Sequence, residues 1–209
     1  FFTILFSSLL LSSCSSFYQF LNITPSGSLK EVAYSNDAPN QLYEFYYSDT
    51  LDNQYLNELR TRYNIESIVD GEKNEFGKIK NILDWTSKQW EHNGSNTPTQ
   101  QDALTILKEA GEGKQFRCVE YGIVATSALS SLGIPARTLG LKTRDVEKVR
   151  IGAGHVVTEV YSNDLEKWIF MDPQFNIIPM LDGKPLNGVE FQKEIFNKNV
   201  NLKLINKQG

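Results

Sequence analysis

Helices first and strands after is the order of elements the sequence predicts, the segregated arrangement of an α+β fold. Three observations carry it. Apolar residues recur at spacings of three and four through much of the stretch between residues 51 and 132. Two runs rich in β-branched and aromatic residues then follow, "HVVTEVYS" and "KWIFMDP", with turn formers between them. The chain of 209 residues is long enough for one domain with a sizeable core.

Taken in order, residues 1–11 are mostly apolar, and Leu11-Ser12-Ser13-Cys14 places small residues just before a thiol. A short apolar run of this kind reads as a secretory signal, too short for a spanning helix. The pattern resembles the lipobox of bacterial lipoproteins, in which the cysteine is acylated and becomes the new N-terminus. That resemblance implies lipid at Cys14, contact with membrane through the anchor alone, and an exported location at the bacterial envelope or cell surface. The plain alternative is an N-terminal core element, against which the serines at 7, 8, 12 and 13 count. The chain opens on Phe1 with no basic n-region, so its natural start is expected upstream. Residues 15–41, with "NITPSGS" and "SNDAPN", read as a tether, and 42–209 as a single domain.

Leu51, Tyr55, Leu59 and Tyr63 predict a first helix, and Phe76, Ile79, Leu83 and Trp90 a second over about 73–91. "HNGSNTPT" breaks it. Thr97-Pro98 reads as an N-cap and first-turn proline opening a short helix through "QQDALTILKEA", which Gly111 and Gly113 end. Cys118, Tyr121, Ala125, Ala128, Leu129 and Leu132 then give one apolar face to a helix that runs from Cys118 to Leu132. Gly133 caps that helix and Pro135 prevents its continuation. The tail "NVNLKLINKQG" reads as a last strand or as the start of further sequence.

Composition excludes more than it names. The net charge is −4, and the three tryptophans and nine tyrosines do not alternate with Lys or Arg, so no nucleic-acid surface is expected. No cluster has metal-ligand spacing, and no cofactor is expected. With Cys14 lipidated, Cys118 is left without a disulfide partner, because the chain has only two cysteines. Cys118 opens its helix, where free N–H groups and the positive end of the dipole stabilise an anion and lower a thiol pKa. Inert packing is the plain alternative.

A thiolate nucleophile needs a base, and the choice lies between His92 and His155. His92, in "QWEHNGSN", reads as a solvated histidine at a helix end away from the strands. His155 begins the first strand of the expected hairpin. Centring a loop of two, four or six residues on Asn163-Asp164 sets Glu159 opposite Trp168 and His155 opposite Asp172, with directly opposed Cβ atoms about 4.5–5.5 Å apart. A three- or five-residue loop would send the two side chains to opposite faces. Thiol, imidazole and carboxylate in that order are the needs of acyl transfer: a nucleophile, its base, and a group that fixes the imidazole tautomer. A strand histidine with a polar neighbour and an ordinary Asp-Pro turn are the plain alternatives.

"GKQFRCVEYGIVATSALSSLGIPARTLGL" followed by "HVVTEVYSNDLEKWIFMDPQFN" resembles the transglutaminase-like superfamily of cysteine enzymes, across about residues 75–176. The resemblance implies an α+β, papain-like core with the cysteine helix packed on an antiparallel sheet. It also implies Cys118 as nucleophile, His155 as base and Asp172 as orienting acid. The oxyanion hole would take the Cys118 backbone N–H plus a side chain from Gln115, Trp85 or Trp90, the tryptophans reading first as core. Arg137 and Glu159 match frequent family positions and read as a structural ion pair. "RCVEYG" and "HVVTEVYS" also resemble segments of peptide:N-glycanases, although Val119 and Tyr121 stand where that branch has Gly and Trp.

The function expected is an exported, lipid-anchored thiol enzyme that cleaves or transfers amide bonds through an acyl-enzyme. Its substrate would be a peptide or protein, such as a cell-wall peptide or a glycoprotein. A peptidase or amidase is favoured over a true transglutaminase, because nothing in the sequence marks an amine site. The alternatives are a catalytically silent surface module of the same fold, or glycanase-like deglycosylation.

Overall fold

The structure is a computed structural model that describes residues 53–149 and 152–209. Cys14 and the segments assigned to residues 1–41 lie outside the described residues.

The first helix, α1 (Gln54–Arg62), is capped by the Asn53 side chain, which accepts the Leu56 N–H at 3.1 Å. A single turn, α2 (Ile65–Ile68), leads to α3 (Glu75–Ser87), capped in the same way by Asn74. The second predicted helix therefore ends four residues early. Trp90 is not on its face but in the loop beyond it.

The next helix, α4 (Ala103–Gly111), starts later than Thr97-Pro98 implied. Asp102 is the cap, accepting the Thr105 N–H at 2.9 Å, because its carboxylate satisfies an orphan donor of the first turn. Helix α5 (Cys118–Ser131) opens on Cys118 and closes at Leu132, with Gly133 at φ +76°. Its buried face carries Tyr121, Ala125, Ala128 and Leu129. These limits match the helix the sequence predicts.

Strands follow, as the sequence order requires. The first sheet is antiparallel and three-stranded, in the order β1 (Ala136–Lys142), β2 (Gly154–Ser162), β3 (Lys167–Met171). A second sheet joins β4 (Ile178–Leu181), β5 (Lys184–Pro185) and β6 (Lys203–Ile205), so the tail does hold a strand. Helix α6 (Gly188–Phe196) lies between β5 and β6 in the chain. A bridge between Asp172 and Ile177 closes the turn that leads from the first sheet to the second.

The β2–β3 hairpin exists, but its register differs from the predicted one by two residues. Glu159 pairs with Phe170 and Tyr161 with Trp168, around a four-residue loop, Asn163 to Glu166. The loop is placed by α3: Glu75 Oε2 accepts the Asn163 N–H at 2.6 Å, and Asp164 Oδ2 accepts the Glu75 N–H at 2.8 Å. A shift of two preserves which face each side chain occupies.

Core packing clamps the sheet from both sides. Ile79, Ile82 and Leu83 of α3 meet Ala125, Ala128 and Leu129 of α5 over Val160, Ile169 and Met171. Phe191 of α6 packs with Val157, Phe170 and Leu186 on the other face. At Gly122 α5 passes close to the sheet: a Cβ there would stand 3.0 Å from Val156 Cγ1.

Candidate active site

Cys118 is the first residue of α5 and is half-buried. Its turn is braced by Glu120, fully buried, which accepts the Arg117 backbone N–H at 3.1 Å and pairs with the Arg117 guanidinium at 2.7 Å. Beside it, β2 runs on from Thr158 to Gly154 with only β1 for a ladder partner, because β3 ends at Met171. The thiol takes up that open edge: the Val156 backbone N–H hydrogen-bonds to the sulfur, and so does the Val119 N–H.

His155 stands at the start of β2 and Asp172 just past the end of β3. In the observed register they are diagonal neighbours on one face, not directly opposed, and diagonal pairs remain within reach of long side chains. The imidazole Nε2–H donates to Asp172 Oδ2 at 2.6 Å. The other ring nitrogen is left for Cys118, with which His155 also forms a hydrogen bond. Asp172 is 3% exposed, and its second oxygen, Oδ1, accepts the backbone N–H groups of Gln174 and Phe175 at 3.0 and 3.1 Å. The Phe175 ring lies against the imidazole, centroids 5.6 Å apart.

Charge follows from this geometry. Burial raises the Cys118 pKa, but the hydrogen bond from His155, the Val156 N–H and the His155 charge together bring it below the ordinary thiol value. Burial lowers the His155 pKa, and Asp172 and Cys118 outweigh it, pushing the imidazole up to about 9. The two groups therefore favour a thiolate beside an imidazolium.

The remaining sequence candidates lie as follows. Trp90 is core: its ring packs edge-on to Phe116 and over Tyr121, and its buried Nε1 has no hydrogen-bond partner. Trp85 is half-buried between the two helical clusters. Gln115 precedes Cys118, and its carbonyl accepts from Asn96 Nδ2 at 2.9 Å. Arg137 and Glu159 form the structural ion pair, 2.7 Å across β1 and β2, with Glu159 also accepting the Gly188 N–H. Among the described residues no group of three His, Cys, Asp or Glu side chains is arranged to hold a metal ion.

Sequence reasoning missed three features around the site. His92 is one: its loop folds back on the start of α5, where the Asn93 N–H donates to Phe116 O at 2.8 Å, and burial and then the His155 charge lower its pKa. The folded-back loop that carries it has no local signature. The Val156 N–H is another, and only the unequal lengths of the strands expose it. Phe175 is the third, and the Asp-Pro-x-Phe turn was the available clue.

The transglutaminase-like superfamily profile matches residues 63–173, just over half of the chain, and that span contains Cys118, His155 and Asp172. No curated protein matches the chain. The chain is similar to the crystal structure of a provisionally assigned cysteine protease from Cytophaga hutchinsonii, at 17% identity and a TM-score of 0.47. The alignment covers 77% of this chain and 52% of that one, so the chain spans about half the length of its relative. The profile match over more than half the sequence, on a core of helices and antiparallel sheet, decides the kinship: the chain belongs to the transglutaminase-like superfamily.

Proposed function

We propose that the protein is a cysteine hydrolase acting on amide bonds of peptides or proteins, with Cys118 as nucleophile, His155 as base and acid, and Asp172 as the group that orients His155. The observation that carries this reading is one imidazole bonded to Asp172 through Nε2 while it interacts with the Cys118 thiol. In the reaction the Cys118 sulfur adds to the amide carbonyl carbon, and the π pair moves onto oxygen. On collapse the C–N bond breaks, and the His155 imidazolium gives its proton to the departing amine. Water then attacks the thioester, His155 takes its proton, and the thiolate leaves. Asp172 holds the ring in one orientation and supports its charge throughout.

Acylation by p-nitrophenyl acetate, read as nitrophenolate release with mass mapping of the acyl group, tests the roles. Cys118→Ala should abolish acylation. Asp172→Asn should keep the fold and lose roughly 10²–10⁴ in turnover. Wild-type rates in Cys118→Ala would exclude the thiol as nucleophile, and a wild-type protein that takes no acyl group on Cys118 would leave a silent module of the same fold as the better reading.

A further inference from the structure

The loop after α3 is tied to the helix that carries Cys118 on both sides of His92. Trp90 O accepts the Tyr121 hydroxyl at 2.6 Å, and Tyr121 lies one turn beyond Cys118. The Asn93 N–H donates to Phe116 O at 2.8 Å, two residues before Cys118. Pinned at positions 90 and 93, the loop holds His92 beside the N-terminus of α5, with its side chain exposed. Burial and then the His155 charge lower the His92 pKa.

The geometry points to His92 as the side-chain donor of the oxyanion hole: its imidazole N–H receives the oxygen that becomes negative when Cys118 adds to a carbonyl. The inference rests on the thiol reading above and deepens it. Neither ring nitrogen of His92 hydrogen-bonds to another described residue, so a donor is available to a ligand. Although the residue is exposed, the ring is partly desolvated, and this and the His155 charge both disfavour its protonation; a neutral imidazole can donate to a developing oxyanion without giving up its proton. Trp90 is the competing donor, but its Nε1 is sealed inside the helical core.

The test compares two reactions of the same sulfur. Acylation by p-nitrophenyl acetate passes through a tetrahedral oxyanion; alkylation by iodoacetamide does not. His92→Ala should slow acylation by roughly 10²-fold and change alkylation by less than about threefold, and His92→Gln, which restores an N–H, should recover part of the loss. Trp90→Phe should leave the ratio of the two rates at the wild-type value. The assignment is overturned if His92→Ala leaves acylation unchanged, if both rates fall together, or if the selective loss appears in Trp90→Phe instead. Undiminished acylation in Cys118→Ala would overturn the thiol reading itself, which that variant detects independently of His92.

Discussion

At Asp172 both carboxylate oxygens are committed, one to the turn that follows β3 and the other to His155. The residue thus serves the fold and the site through separate lone pairs. At Cys118 the outcome depends on opposed effects: burial disfavours the thiolate, while His155 and two backbone N–H groups favour it more. Since a thiol ionises above its pKa and the His155 cation persists up to about 9, the ion pair occupies the window between the lowered thiol value and about 9. Iodoacetamide should therefore alkylate Cys118 at pH values below those needed by a free thiol of pKa ~8.5. In His155→Ala the profile should move back toward that value. Coincident profiles for the two proteins would show that the side chains are not coupled.

Between elements, the site depends on how closely α5 approaches β2. Gly122 sets that distance, since a Cβ would meet Val156 Cγ1 at 3.0 Å and Thr138 Cγ2 at 3.4 Å. The same Val156 supplies a backbone N–H to the Cys118 sulfur. Gly122→Val should lower the unfolding free energy by roughly 1–3 kcal/mol through overpacking, and should shift the alkylation profile of Cys118 to higher pH. Valine and glycine differ little as helix formers, so the loss reports the contact. A urea midpoint and an alkylation profile both equal to wild type would mean that the interface has slack the distances do not show.

For the whole molecule, a sheet covered on both faces holds the site at one end of its strands. The α3–α5 core lies on one side and the α6 cluster on the other. Among the described residues no helix is long and apolar enough to cross a membrane. Export and anchoring through lipid on Cys14 are our proposal from the apolar run and the small residues before the thiol. Expressed with a complete leader in a bacterium, the protein should partition into detergent, and its mature N-terminus should carry the mass of a lipidated Cys14. An aqueous protein with Cys14 unmodified would remove the anchor.

The sequence by itself determined the helix that opens on Cys118 and stops at Gly133, because spacing, dipole and a positive-φ glycine are all local to that segment. It also pointed to a shared face for His155 and Asp172, on the condition of an even-numbered loop, which the four residues Asn163 to Glu166 meet. Strand side chains alternate with period two, and an error of two residues in register leaves faces unchanged. The register itself belonged to tertiary structure, since Glu75 of α3, far away in sequence, holds Asn163 and Asp164 and so fixes where the hairpin loop begins. The same holds for the loop at 90–93. Its hydrogen bonds go to residues 116 and 121, so partners far along the chain decide where the loop that carries His92 lies.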